Sequence, residues 1–136
     1  MINEACFIRY LSETFPGKWH EKSIADDETY TLPPDAVLYQ DMGFQGFTVA
    51  TVTIRQPTKK PRGGELTVAQ KEENRRIASE KMRIEHTMCS VKRCRIVKEK
   101  IRYWQDLIRD VVMEIACGLH NFRLRFRPWH YDTLKP

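Results

Sequence analysis

The sequence predicts an α/β protein with a short sheet and long helices, and two observations carry that prediction. Short runs of apolar and β-branched residues at 5–11, 36–39 and 49–55 have the length and composition of strands. Two later stretches, from Thr67 onward and at about 105–122, repeat apolar residues at helical spacing. With 136 residues, 41% of them apolar, the chain can form one domain with one core.

Charge is unevenly distributed along the chain. Residues 55–103 contain 15 Lys and Arg against 6 Asp and Glu, whereas residues 1–54 contain 3 against 8. Such a basic block predicts a surface that binds phosphates, and the alternative is an ordinary solvated face. No run reaches the ~18 apolar residues of a membrane helix, and no signal peptide is recognisable, so we expect a cytoplasmic protein without a membrane partner. The four cysteines form no CxxC pair and are interpreted as small buried hydrophobic residues.

The first predicted elements are a strand, a helix and a second strand. The strand at 5–11 is followed by a short helix at 19–30, and we interpret His20 near its start as structural. The run at 36–39 is too apolar for a half-exposed strand, so we expect it to be buried. It would present Asp41 just beyond its C-terminal end.

A basic loop separates the next strand, at 49–55, from a long helix. Its Pro and Gly content predicts the loop at 58–65. The loop contains three basic residues, Lys59, Lys60 and Arg62. Thr67 and Gln70 have the spacing of a capping box, in which each side chain satisfies an orphan backbone N–H at the start of a helix.

Each long helix has a predicted buried face. On the first, the apolar stripe is Ile77, Ile84, Met88 and Val91. The neighbouring stripe is Lys81, Glu85, Cys89 and Lys92, which places Glu85 beside the core. On the second, the predicted core residues are Leu107, Ile108, Val111, Val112, Ile115, Leu119 and Phe122. A basic tail is expected at 123–127.

The two carboxylates Asp41 and Glu85 are candidates for metal-dependent phosphoryl chemistry. Mg²⁺ prefers hard oxygen ligands, and two such ions can activate the attacking oxygen and stabilise the leaving one. By spacing alone the alternatives remain open. An Asp after a strand is commonly a turn former, and a Glu in a basic helix commonly pairs with a Lys four residues earlier, here Lys81.

Four segments, at 41–47, 56–67, 83–102 and 113–129, resemble the C-terminal part of bacterial insertion-sequence transposases of the DDE type. The resemblance runs from about residue 7 to 129. It implies an RNase H-like fold in which Asp41 and Glu85 are the second and third catalytic carboxylates and bind two Mg²⁺ or Mn²⁺ ions. It also implies that DNA, as transposon ends and target, is bound by basic residues. The resemblance matches Lys81 and Lys92, and Lys59, Lys60, Arg62 and Arg93 of the basic block are further DNA-binding candidates.

The family's first catalytic Asp, on the first strand of the fold, has no match in this sequence. We therefore expect a truncated RNase H-like fold that lacks the first two strands, with a partial catalytic domain at 1–129 and a tail at 130–136. Such a chain should be inactive alone and should need the N-terminal half of a transposase or a second copy as a partner. Two alternatives are a decayed remnant that only binds nucleic acid and a non-catalytic module for RNA or proteins. The implied location is the bacterial nucleoid.

Overall fold

The computed structural model describes residues 1–50, 52–99 and 107–130. Within these ranges it contains four α-helices and two parallel strands, in agreement with an α/β protein that has a short sheet and long helices. The helices are α1 (Glu21–Asp27), α2 (Val68–Val91), α3 (Arg95–Lys98) and α4 (Ile108–Phe126), and the strands are β1 (Val37–Tyr39) and β2 (Thr53–Arg55).

The chain divides into two compact units. The central unit is Phe15–Met82 and contains α1, the sheet and most of α2. The terminal unit combines Met1–Thr14 with the described residues from Arg83 onward. It contains the end of α2 together with α3 and α4.

In the central unit, β1 and β2 pair in parallel, with Leu38 opposite Ile54. The pairing extends by one residue beyond β1, because the Gln40 amide donates to the Arg55 carbonyl at 3.1 Å. The expectation of a fully buried strand is wrong. Val37 is 46% exposed, since the described sheet has only two strands and does not enclose this residue. β2 is also shorter than predicted, because ladder pairing begins only at Thr53.

The helix predicted at 19–30 is present but shorter, since α1 begins at Glu21 and ends at Asp27. His20 caps α1, its Nδ1 accepting a hydrogen bond from the Lys22 amide at 3.2 Å, which supports its structural interpretation. The capping box of α2 is confirmed. The Thr67 amide donates to Gln70 Oε1 at 2.9 Å, and the Gln70 amide donates to Thr67 Oγ1 at 3.2 Å. Two orphan donors at the helix start are thereby satisfied.

The predicted apolar stripe of α2 is only partly correct. Ile77 and Val91 are each 1% exposed, whereas Ile84 is exposed. Thr87 is buried although it is polar, because its hydroxyl donates to the Arg83 carbonyl within the helix at 2.9 Å. A hydroxyl satisfied in this way can lie in the core at little cost.

The predicted strand at 5–11 is wrong. The segment forms a single antiparallel bridge, between Ile2 and Ile8, around a tight turn. In that turn the Cys6 amide donates to the Asn3 carbonyl at 2.9 Å, and Cys6 has φ +62°, which no strand residue adopts. The apolar residues of the segment 5–11 serve packing instead of a strand, because Cys6 is fully buried and Ile8 lies against the terminal core.

The predicted buried face of α4 is also wrong. The residues that the structure buries are Ala116, Cys117, His120 and Leu124, which lie on the opposite side of the helix. Val111, Ile115, Leu119 and Phe122 are exposed. The helix extends to Phe126, so most of the predicted basic tail at 123–127 is helical. Residues 105 and 106 of the predicted helix, and residues 131–136 of the predicted tail, lie outside the described residues.

The buried side of α4 binds the N-terminal segment through its backbone. Asn121 accepts from the Ile8 amide and donates to the Ile8 carbonyl, both at 2.8 Å, as a neighbouring strand would. His120 Nε2 donates to the Cys6 carbonyl at 2.9 Å, and Asp110 accepts from the Thr14 amide at 2.6 Å. These side chains satisfy backbone groups that have no ladder partner here.

The cysteine interpretation is correct for Cys6 and Cys117, which are buried, and wrong for Cys89, which is exposed. All four thiols are free. No helix in the described ranges is both long and apolar enough to cross a bilayer.

We predict that Asn121→Ala accelerates hydrogen exchange of the Ile8 amide, because that amide loses its acceptor. The variant should lose about 1–3 kcal/mol of stability, since the partly buried Ile8 carbonyl also loses its donor. The matched control is Asn74→Ala, which removes an equivalent pair of bonds to Thr58 in the central unit. That variant should accelerate exchange at Thr58 and leave Ile8 protected. Exchange at Ile8 that is unchanged by Asn121→Ala would contradict the prediction.

Candidate functional site

Asp41 lies two residues beyond the end of β1, where the sequence predicts it. There the chain turns into a short 3-10 helix, Met42–Phe44, and Asp41 caps it by accepting from the Met42 amide at 2.6 Å. Gln56, the first residue after β2, donates from Nε2 to the Asp41 carbonyl at 2.7 Å. Parallel strands end at the same edge of a sheet, so Gln56, which follows β2, lies close enough to bond the backbone of Asp41, which follows β1.

The Asp41 carboxylate is paired with Lys81 of α2. Lys81 Nζ donates to Asp41 Oδ1 at 2.7 Å, and 62% of the aspartate side chain remains exposed. The hydrogen bond from Lys81, and then that from the Met42 amide, lowers the pKa of the Asp41 carboxyl below its ordinary value. Asp41 is therefore an ionised, accessible oxygen donor at neutral pH.

Glu85 lies on α2, in the terminal unit, and is exposed. It follows Lys81 by four residues, one helical turn. Lys92 and Arg93 are exposed in the turn that follows α2. The Lys92 amide still donates to the Met88 carbonyl at 2.9 Å, so the chain keeps its helical direction to that residue.

The three basic residues between β2 and α2, Lys59, Lys60 and Arg62, are exposed on one loop. Asn74 of α2 anchors the start of this loop by accepting from the Thr58 amide at 2.8 Å and donating to its carbonyl at 3.0 Å. At the other end, Gly63 has φ +77°, a conformation that favours glycine. Asn74 thus holds the start of the loop, and the three basic side chains that follow are exposed.

The structure brings together Asp41 and Lys81, which are 40 residues apart. It also shows residues that the sequence did not indicate as part of this site. Gln56 contacts Asp41 only because β2 lies beside β1, and Arg55 donates to Glu73 of α2 at 2.6 Å. Among the described residues, no group of three or more His, Cys, Asp or Glu side chains is placed to hold a metal ion.

In α/β proteins, ligands commonly bind at the carboxyl ends of parallel strands, which is where the charged side chain of Asp41 lies. The exposed lysines and arginines nearby in sequence suit a phosphate-containing ligand. A family model described as a DDE superfamily endonuclease matches residues 1–121, and the chain therefore belongs to that family. No curated protein and no solved structure matches the chain. The family consists of nucleases that generally use divalent metal ions, and DNA is the substrate that it implies.

We predict that Lys81→Met raises the pKa of Asp41 towards its ordinary value, because the largest contribution to its lowering is removed. The stability that the pair contributes is present above about pH 4 and is lost as the pH falls through the lowered pKa. It should be below about 1 kcal/mol, since both side chains are partly solvated. Carboxyl NMR titration measures the shift. Lys71→Met, which removes a partner of Glu65 instead, is the control and should leave Asp41 unchanged.

Proposed function

We propose that this chain contributes two catalytic carboxylates, Asp41 and Glu85, to a transposase of the DDE type. The reaction is metal-dependent cleavage and strand transfer of DNA during transposition of a bacterial insertion sequence. The observation that carries the proposal is the ionised Asp41 at the end of β1, paired with a lysine of α2, in a chain that belongs to the endonuclease family.

The character of Asp41 suits a Mg²⁺ or Mn²⁺ ligand. It is ionised and largely exposed, and carboxylate oxygens are the donors that these ions prefer. Glu85 supports the same function through its exposure and its position in the family pattern, with Lys81 four residues before it and Lys92 seven after it. We therefore assign Asp41 and Glu85 as the ligands of a pair of divalent ions.

When bound, the ions would activate a water or 3′-hydroxyl for attack and would neutralise the negative charge on the leaving oxygen. The chain's own residues orient the carboxylates. Gln56 and the Met42 amide fix Asp41, and Lys81 offsets its negative charge while no cation is present. If Asp41 bound a metal ion, the Lys81 ammonium would be available to bind a DNA phosphate.

The basic residues are proposed to bind the DNA backbone. Lys59, Lys60 and Arg62 share one exposed loop, and Lys92 and Arg93 share the turn after α2. Exposed lysines and arginines neutralise phosphates and release counterions, which gives affinity without sequence selectivity.

We propose that the family's first catalytic Asp is not among the residues that carry the resemblance. The proposal therefore includes a further polypeptide segment that supplies it. Two carboxylates leave a pair of divalent ions poorly neutralised, so these residues should cleave DNA weakly or not at all without that segment.

We predict that Mg²⁺-dependent nicking of plasmid DNA appears when the chain is combined with a segment that contains the family's first Asp. Glu85→Gln and Asp41→Asn should each lower the nicking rate by at least about 100-fold, because each removes a charged metal ligand. Gel electrophoresis of supercoiled plasmid measures nicking.

The controls are Glu72→Gln, another exposed carboxylate on α2, and Asp35→Asn, another exposed carboxylate of the central unit. Both should retain full activity. Nicking that survives Glu85→Gln would sink the assignment of Glu85. DNA binding without nicking in every combination would support a function restricted to nucleic-acid binding.

We predict that the loop variant Lys59→Ala, Lys60→Ala and Arg62→Ala binds duplex DNA with a weaker salt dependence. The slope of log K against log salt concentration is negative, and each lost phosphate contact reduces its magnitude by about 0.9. Loss of all three contacts would therefore reduce the magnitude by about 2.7. Fluorescence anisotropy at several salt concentrations measures the slope. A variant with the same charge change elsewhere, at Lys18, Lys98 and Arg109, should keep the original slope. Equal slopes for both variants would contradict the assignment.

A further inference from the structure

The outward face of α4 is a continuous apolar surface. Its five large residues, Val111, Ile115, Leu119, Phe122 and Phe126, are 50–71% exposed. They recur at intervals of four, four, three and four, which places them along one side of the helix. We call this set the outer stripe. The opposite side of α4 holds the buried residues, so the helix is apolar on two faces.

An apolar surface of this kind is unusual on a protein that remains alone in water. Single exposed apolar residues are common, but contiguous apolar patches of several hundred Å² generally mark binding surfaces. Phe122 and Phe126 already lie edge to face, with ring centroids 5.0 Å apart. Two adjacent, preordered aromatic rings are suited to serve as interface anchors, because little side-chain freedom remains to be lost on binding.

The charges beside the outer stripe indicate its occupant. Glu114, in the N-terminal half of α4, and Arg125, in its last turn, both border the outer stripe. A second α4 laid antiparallel places Glu114 of each copy beside Arg125 of the other. A parallel pair would not bring Glu114 of one copy to Arg125 of the other, because the two residues lie about three turns apart along the helix. Antiparallel helices also align their macrodipoles favourably.

The geometry of the stripe fits a two-fold pair. Glu114 and Arg125 are eleven residues, or about three turns, apart, so they lie along the same edge of the stripe. In an antiparallel pair related by a two-fold axis beside Leu119, each Glu114 faces the other copy's Arg125. Gly118 lies on the stripe between Ile115 and Phe122, and a Cβ there would meet nothing within 4 Å. Its missing side chain lets the two helices approach closely near the axis.

We propose that the outer stripe of α4 is the interface through which two copies of this chain associate, with their α4 helices antiparallel. The surface is self-complementary in charge and continuous in apolar character, which a two-fold interface requires. The proposal does not depend on the nuclease assignment, because no residue of the stripe belongs to the proposed site.

Sedimentation equilibrium of the full chain tests the proposal over a range of concentrations. The unaltered chain should form dimers, and Phe122→Asp should weaken the dimer at least about 100-fold, because it places a charge at a desolvated aromatic anchor. The helical circular dichroism of this variant should remain unchanged, since Phe122 is exposed. A chain that is monomeric at all concentrations overturns the proposal, as does a dimer that Phe122→Asp does not weaken.

Charge exchange tests the antiparallel arrangement. Glu114→Arg alone and Arg125→Glu alone should each weaken the dimer about tenfold, because each creates two like-charge contacts. The double variant should recover the original affinity, and so should an equimolar mixture of the two single variants. Within one helix these residues are too far apart to compensate each other. Glu72→Arg on α2 is the control and should leave association unchanged. Failure of both rescues overturns the antiparallel arrangement.

Discussion

Extended backbone must satisfy its N–H and C=O groups, and in this protein side chains of the helices satisfy several of them. Asn121 presents one acceptor and one donor to Ile8 and thereby replaces one rung of a ladder. His120 and Asp110 satisfy further groups of the same segment, at Cys6 and Thr14. The terminal core depends on these bonds, because they hold Ile8 against Val91, Ala116 and Cys117.

The central unit follows the same principle around a minimal sheet. Two strands of three residues are marginal by themselves in water. Here they are attached to α2 by the ion pair between Arg55 and Glu73 and by the bonds between Asn74 and Thr58. Asp41 is held at the edge of this assembly by Gln56 and Lys81. The position of the candidate carboxylate is thus a property of the whole central unit.

The sequence was most informative where the cause is local. The capping box at Thr67, the turn-rich loop at 58–65 and the strand before Asp41 each follow from a few neighbouring residues. It was wrong where the outcome depends on distant partners. The apolar pattern of α4 specifies two faces, and periodicity does not state which one the fold buries. The run at 5–11 has strand composition, but a left-handed Cys6 and side-chain partners on α4 give it another conformation.

The sequence located Asp41 as a carboxylate at a strand end, whereas it did not indicate that Lys81, 40 residues later, would be its ion-pair partner. The assignments of Asp41 and Glu85 as metal ligands, and of a truncated RNase H-like fold, remain predictions.

The attachment of Thr58 has a consequence for how this protein can change over time. Asn74 recognises the main chain of residue 58 and is indifferent to its side chain, so nearly any residue except proline, which lacks the N–H, preserves the anchor. The basic loop can therefore vary in length and charge beyond that point without disturbing the strands or α2. Under the proposed function of the loop, substitutions there would change the affinity for nucleic acid while the strands and α2 stay as they are.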